Sequence, residues 1–376
     1  MAVRPPPTAR CDRCGRPIDE VQVALPCPDC AGPVGISFDS ETRPNARRGA
    51  RVDGLWRYGA ALPLRDPNDV VSLGEGDTPV VRLPRWGAAH GMRNVFAKLE
   101  YIAPTGSFKD RGTTLVVSRA REIGARELIE DSSGNAGASV AAYAARAGIP
   151  AIIFVPAGAP AAKIAQIAAT GADVVRVEGP REAVRDAAIE AARSRNAYYV
   201  GHNGNPYFEA GTQTFGFEVA RWHFGHVMMP VGGGSLFVGG WRGLQRAAAP
   251  RAILPRFHLA QPTGCAPIVA AWRRGMGRPV PIERHPTIAG GAEIEHPARG
   301  VEILRILTAS HGGAVDIHDD AIVAARHELA TLEGIDVEPT SALAVAGVIA
   351  LLRDAVIRSE DRVLIVLTGS GLKVPA

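Results

Sequence analysis

No apolar stretch in this 376-residue chain reaches the roughly 18 residues that a membrane span requires, so no span is expected. Cysteine is scarce: five residues, four of them between Cys11 and Cys30 and the fifth alone at Cys265. The N-terminus, residues 1–10, carries proline and arginine but no apolar core, so no secretory signal is expected, and with so few cysteines a cytoplasmic protein is. There is no long block of one charge sign. The net charge is +4, with arginines scattered among acidic residues along amphipathic segments, the pattern of a solvated surface rather than of a nucleic-acid footprint. Internal repeats and low-complexity tracts are missing. So are the Walker spacing and the G-x-G-x-x-G pattern, which removes an NTP or NAD reading.

What remains is an ordinary globular composition, 46% hydrophobic and 21% charged, at a length that suits two or three domains. Residues 37–51 are polar and rich in Arg, with Gly49 near the end, as a linker would be. From about residue 95, short β-branched apolar runs alternate with Ala-rich segments of helical period. The runs fall at 95–99, 128–130, 151–155, 174–177, 198–200, 227–231, 257–260 and 363–367. The helical stripes fall at 140–147, 161–169, 181–195, 321–332 and 342–352. Such alternation implies βαβ units, hence an α/β fold with parallel sheet. Ligands in these folds bind where loops leave the carboxyl ends of strands.

Cys11-Asp12-Arg13-Cys14 and Cys27-Pro28-Asp29-Cys30 are two C-x-x-C pairs with twelve residues between them. Each pair makes a turn that aims two thiolates at one ion, so Cys11, Cys14, Cys27 and Cys30 read as a closed Cys₄ site for structural Zn²⁺. Two local disulfides or free thiols are the alternatives, disfavoured in a reducing cytosol. Ribbons of this kind also occur in nucleic-acid binders. Arg13 and Arg16 lie nearby, but with few aromatics there is no stacking platform. Cys265 reads as a small buried hydrophobe, and His202, His296 and His311 lack metal spacing.

Three loops carry the chemistry. Lys109, in the segment from Pro104 to Gly112, follows a predicted strand and opens a helix; alone, such a lysine is a surface charge. The segment Asp131-Ser132-Ser133-Gly134-Asn135-Ala136-Gly137 follows the next strand and leads into a helix, placing small residues and backbone N–H groups where a carboxylate is held. Gly232, Gly233, Gly234 and Ser235 follow the run at 227–231 and can wrap a phosphate closely. Thr368 and Ser370 bring hydroxyls to the end of the last strand.

Taken with the stretches 205–218, 338–341 and 368–373, this set resembles the fold-type II pyridoxal-5′-phosphate (PLP) enzymes, and within them the threonine synthases. The resemblance covers about 73–373, and many of these relatives carry an N-terminal Cys₄ ribbon. It implies a tryptophan synthase β-like architecture of two parallel-sheet α/β domains plus the ribbon. The expected division is ribbon and linker at 1–45, a large PLP-binding domain at 46–94 and 201–376, and a small domain at 95–200. Lys109 would be the Schiff-base lysine and the base at the α-carbon. Asn135 would bond the cofactor's 3′-oxygen, and Gly232, Gly233, Gly234, Ser235 and Leu236 its phosphate. Thr368 would face the ring nitrogen, a neutral partner that suits elimination and replacement. Ser132, Ser133, Gly134 and Thr105 would hold the amino-acid substrate. A cytoplasmic homodimer with no nucleic-acid or membrane partner is implied.

The resemblance departs at three positions. Phe208 stands where the family pattern usually has Arg, Gln213 where Lys is expected, and Ser370 where His is usual. The cradle Gly-Gly-Gly-Ser is closer to that of serine/threonine dehydratases and racemases. Two activities are therefore expected to compete: elimination and hydration of O-phosphohomoserine, or β-replacement or ammonia elimination on another amino acid. Glu338 reads either as an acidic group near the site or as a charge at a helix start.

Overall fold

The computed structural model describes residues 4–38 and 54–373, so most of the expected linker at 37–51 lies outside the described residues. The strands are β1 (Thr8–Cys11), β2 (Val34–Ser37), β3 (Val80–Arg82), β4 (Asn94–Leu99), β5 (Leu128–Glu130), β6 (Ala151–Pro156), β7 (Asp173–Val177), β8 (Tyr198–Tyr199), β9 (His226–Pro230), β10 (Arg256–Pro262), β11 (Ala314–Ile317) and β12 (Arg362–Leu367). The α-helices are α1 (Pro84–Ala89), α2 (Lys109–Glu122), α3 (Asn135–Ala147), α4 (Ala161–Ala168), α5 (Arg181–Ser194), α6 (Pro206–Val219), α7 (Ser235–Ala247), α8 (Pro267–Arg273), α9 (Gly300–Ala309), α10 (Asp319–Glu333) and α11 (Pro339–Arg353). Helix ends follow local chemistry. Proline opens α1, α8 and α11, where its missing N–H costs nothing, and left-handed Gly148 and Gly334 close α3 and α10. Among the described residues, no helix is long and apolar enough to cross a membrane.

The chain forms two compact units. The first comprises Met1–Gly76 and Lys109–Thr214. Its sheet is parallel throughout, in the order β7-β6-β5-β8. The antiparallel pair β1-β2 belongs to the same unit. Ala9, Val23 and Val34 of the ribbon share a hydrophobic cluster with Tyr198, Tyr207 and Phe208, while Ala24 packs with Ile129 and Tyr199. The ribbon thus docks on the body of its own unit.

The second unit comprises Asp77–Phe108 and Phe215–Ala376. Its sheet runs β11-β10-β9-β12-β4-β3, parallel except for the antiparallel edge strand β3. β12 shows why such a run forms central strand. Val363, Ile365 and Leu367 enter one buried cluster and Leu364 and Val366 the other, the period-2 alternation of a strand covered on both faces. Each such side chain contributes about 1.5–3 kcal/mol on burial.

The units divide the chain differently from the expected boundaries. β4, read as the first strand of the small domain, pairs with β12 along its whole length and lies in the second unit. Residues 54–76, expected in the large domain, lie in the first unit, and the later crossing falls at Thr214–Phe215 within α6 rather than at 200. Strand pairing across more than two hundred residues decides the first point.

Candidate active site

Three loops meet the carboxyl edge of neighbouring strands in the second unit, after β9, β12 and β4. Beyond β9, the amides of Gly232, Gly233 and Gly234 have no hydrogen-bond partner among the described residues. Gly234 takes φ 88° at the start of the 13-residue α7 and offers no side-chain cap. Packing excludes larger residues behind the loop: a Cβ on Gly232 would stand 2.8 Å from the Gly291 carbonyl, and one on Gly234 2.4 Å from Ile303 Cδ1. Ser235 and Leu236 are buried in the first turn of α7. The result is a side-chain-free anion cradle at a helix N-terminus, which fits a phosphate monoester.

After β12, Thr368 is buried and its Oγ1 lies 3.0 Å from Ser341 Oγ. Ser341 also accepts from the Gly369 N–H at 2.7 Å and donates to the Gly369 carbonyl at 3.1 Å. After β4, the chain from Ala103 to Phe108 is laced to the same turn. The Phe108 N–H donates to the Thr368 carbonyl at 3.0 Å, Ser107 bridges Gly369, and Lys373 Nζ donates to the carbonyl of buried Thr105 at 2.8 Å. Ser107 Oγ is wholly buried with no partner among the described residues, an orphan hydroxyl of the kind a bound ligand satisfies. Lys109 is the next residue but one. Ser370 is buried, and its N–H donates to the Gly106 carbonyl at 3.0 Å. Glu338 occupies the N-cap of α11 without a side-chain cap bond. Its carboxylate lies against Gly369, where a Cβ would meet it at 2.2 Å.

In the first unit Lys109 opens α2, half-buried, with Nζ 5.5 Å from the centroid of the Phe208 ring. Phe208 is fully buried, edge-on to His202 with centroids 5.8 Å apart. Gly112 makes room for it, since a Cβ there would lie 2.5 Å from the ring. The Ser132-Ser133-Gly134 loop joins β5 to α3, with Asn135 as the first helical residue. The Gly134 N–H donates to Ser132 Oγ at 3.3 Å, and a Cβ on Gly137 would stand 1.9 Å from the Ser132 carbonyl oxygen. Only glycine lets the loop fold back on the first turn of the helix.

Two buried carboxylates anchor that loop, and neither was singled out in the sequence. Glu130 Oε1 pairs with His202 Nδ1 at 2.7 Å. Asp131 accepts from Tyr199 Oη at 3.0 Å and pairs with Arg181 at 2.6 Å. Burial, with Asp131 beside it, pushes the Tyr199 phenol up, so it stays a donor. The sequence signal was present: adjacent acidic residues end an otherwise apolar buried strand just before a glycine turn. Glu130, Asp131 and His202 offer ligand atoms within 4.8 Å of one another, but Asp131 is already held by Arg181 and Tyr199, and Glu130 Oε1 by His202. Cys265 is wholly buried, and burial raises its thiol to about 11.

The four N-terminal cysteine sulfurs also lie within 4.8 Å of one another. Cys11 and Cys30 Sγ are 3.5 Å apart, and Cys14 and Cys27 Sγ 3.7 Å. These separations exceed a disulfide bond and suit thiolates about 2.3 Å from one tetrahedral ion, which would be roughly 3.8 Å apart. Backbone amides of Cys14 and Arg13 lower the Cys11 thiol to about 6. Gly32 is required at the knuckle, because a Cβ would crowd Cys11 Sγ at 2.9 Å. The donor set fits Zn²⁺.

Residues 71–369 match the family described as pyridoxal-phosphate dependent enzyme. Threonine synthase of Methanocaldococcus jannaschii is 35% identical over 379 residues, covering 97% of this chain and 93% of that protein. Threonine synthase of Mycobacterium tuberculosis is 33% identical over 326 residues, covering 85% and 88%. Among solved structures, maize serine racemase superposes with a TM-score of 0.69 at 24% identity, over 78% of this chain and 88% of that one. Threonine deaminase isoform 2 of Solanum lycopersicum gives 0.68 at 23%, over 81% and 85%. At that identity the superpositions speak for the fold, which is fold type II. Sequence, cradle and fold agree: this chain belongs to the pyridoxal-phosphate-dependent enzymes and is a threonine synthase-like lyase with an N-terminal cysteine ribbon.

Proposed function

We propose that the chain converts O-phosphohomoserine, or a closely related amino acid, by elimination followed by addition of water at the β-carbon. The observation that carries this reading is the unpartnered glycine cradle beside Thr368 on neighbouring strand ends, with Phe108 bonded to the Thr368 carbonyl one residue before Lys109. PLP, when bound, supplies the electron sink for carbanion chemistry. On this reading Gly232, Gly233, Gly234, Ser235 and Leu236 hold its phosphate and Asn135 its 3′-oxygen. Thr368, backed by Ser341, offers the ring nitrogen a neutral hydroxyl. Lys109 attaches the cofactor and, once released, removes and returns protons at the substrate. Ser132, Ser133, Gly134 and Thr105 orient the substrate carboxylate, and Cys11, Cys14, Cys27 and Cys30 hold Zn²⁺. The partners are the amino acid and a second copy of the chain, in the cytoplasm.

A second reading is favoured by Phe208. A fully buried apolar ring gives a substrate phosphate nothing to pair with, and loss of a charge-assisted contact weakens a dry anion site severely. On that reading the enzyme is a β-replacement enzyme or an ammonia-lyase. The test is release of inorganic phosphate, with chromatography for threonine, after O-phospho-L-homoserine is added to PLP-loaded protein. Conversion supports the first reading. No turnover with the cofactor's absorbance band intact selects the second, to be followed with phosphoserine, O-acetylserine, serine and threonine.

A further inference from the structure

We infer that Glu20, in the cysteine ribbon, is a positioning residue for the catalytic lysine: it clips α2 to α6 and so fixes where Lys109 rests against Phe208. The inference rests on the reading that Lys109 attaches the cofactor. All the contacts involved lie within the first unit.

The two helices cross without slack. A Cβ on Gly211 of α6 would stand 2.1 Å from the Arg111 carbonyl of α2, and a Cβ on Gly112 of α2 2.5 Å from the Phe208 ring of α6. Backbone meets backbone at one point and ring at the other, so no flexible side chain absorbs a shift between the helices. Lys109 Nζ lies over that same ring at 5.5 Å, a distance at which the ring face attracts a cation. Any slide of α6 along α2 carries Phe208 away from the lysine.

Glu20 touches both helices at once. Its Oε1 lies 3.0 Å from an Arg119 guanidinium nitrogen on α2. Tyr207 Oη, on α6, donates to Oε1 at 3.0 Å and to Oε2 at 2.9 Å. The Arg119 guanidinium also lies 5.6 Å from the Tyr207 ring centroid and pairs with Glu122. Arg119 and Tyr207 are buried, so the network is poorly screened and its geometry is held firmly. Burial pushes the Tyr207 phenol well above its ordinary range, leaving it a donor toward Glu20. Tyr207 precedes Phe208 directly.

Glu20 itself stands in the single 3₁₀ turn (Glu20–Gln22) between the two cysteine pairs, and Asp19 caps that turn by accepting from the Val21 N–H at 2.9 Å. A metal held by the four thiols therefore fixes the segment that presents the carboxylate. This gives the ribbon a task beyond its own folding.

The experiment compares wild type with Glu20→Ala, Glu20→Gln and Tyr207→Phe, each with zinc measured by atomic absorption and PLP affinity by titrating the absorbance band at the visible edge. Glu20→Ala is expected to keep zinc at the wild-type level and weaken PLP binding about tenfold, the middle of the range for directly coupled contacts. Tyr207→Phe, which keeps the ring and loses only the hydroxyl, weakens it in the same direction and carries the test if Glu20→Ala fails to fold. Glu20→Gln falls between. Chelating zinc from the wild type weakens PLP binding similarly, and chelating it from Glu20→Ala adds nothing further, because both act through one contact. Unchanged PLP affinity in Glu20→Ala and Tyr207→Phe, or additive effects of chelation and Glu20→Ala, overturns the inference. Lys109→Ala reports separately on the lysine: if the band survives there, that assignment fails whatever Glu20 does.

Discussion

Gly137→Ala isolates the loop proposed to hold the substrate carboxylate. The added Cβ would lie 1.9 Å from the Ser132 carbonyl oxygen, whereas carbon and carbonyl oxygen approach no closer than about 3.3 Å. The loop, or the first turn of α3, must then retreat by about 1.4 Å. A misplacement of about 1 Å costs on the order of a hundredfold in a preorganised site. Stability moves much less. Overpacking costs about 1–3 kcal/mol, offset by about 1 kcal/mol because alanine is the better helix former. The expected outcome is a folded protein with a near wild-type melting temperature that needs about a hundredfold more amino acid to shift the cofactor's absorbance band. Gly277→Ala, with no atom within 4 Å of the added Cβ and no positive φ, is the control and behaves as wild type. If Gly137→Ala bound amino acid within about threefold of the control, the argument that this contact fixes the loop would be refuted.

Lys109→Ala removes the amine proposed to attach PLP; the band at the visible edge and all turnover disappear while circular dichroism is unchanged, and residual activity would sink the assignment. Cys11→Ser or Cys30→Ser releases zinc and loosens the ribbon, read as metal content and as protease sensitivity near the N-terminus; stoichiometric zinc in either variant contradicts the Cys₄ site. The buried pair His226–His258, bonded at 2.9 Å with Asp361 3.2 Å from His226, makes the second unit acid-labile. Burial lowers His226 and takes His258 to about 3, with the facing His226 and Arg256 adding to it. The unfolded chain takes up protons below about pH 6.5. Stability is thus complete above that pH and falls as the pH drops toward 3, by up to about 1.4 kcal/mol per pH unit for each proton. Urea melts of His258→Gln should show a shallower acid slope than wild type, and identical slopes would exclude the pair as the cause.

Much of the fold was legible because central parallel strands are β-branched runs and their helices are Ala-rich stripes. β5 was read at its observed bounds and β12 within one residue. β3 and β11 were not; they are the two edge strands of their sheet, and Arg82 and Asp316 interrupt their short apolar runs. The partition into units was not legible either. It depends on which strands pair, and β4 meets β12 across more than two hundred and fifty residues of chain.

The site divides along the same line. Loops that expose backbone announce themselves as glycine and serine runs, so the lysine segment, the Ser-Ser-Gly-Asn turn and the glycine cradle, proposed here as the binding loops, could be read from the sequence. The residues that hold those loops act through side-chain contacts of long sequence range: Glu130 with His202 across 72 residues, Tyr207 with Glu20 across 187, Ser341 with Thr368 across 27. Glu130 leaves a local trace, an acidic residue ending an apolar strand, but the pairings themselves leave none. Phe208 shows what this costs. In the sequence it was a missing cation, and so a statement about the substrate. In the structure its ring fills the space above Gly112, meets His202 edge-on and underlies Lys109. The exchange therefore bears first on the placement of Lys109. Its bearing on the substrate's phosphate follows from that, which is why the phosphate-release assay and the Glu20 series interrogate the same few ångströms from opposite sides.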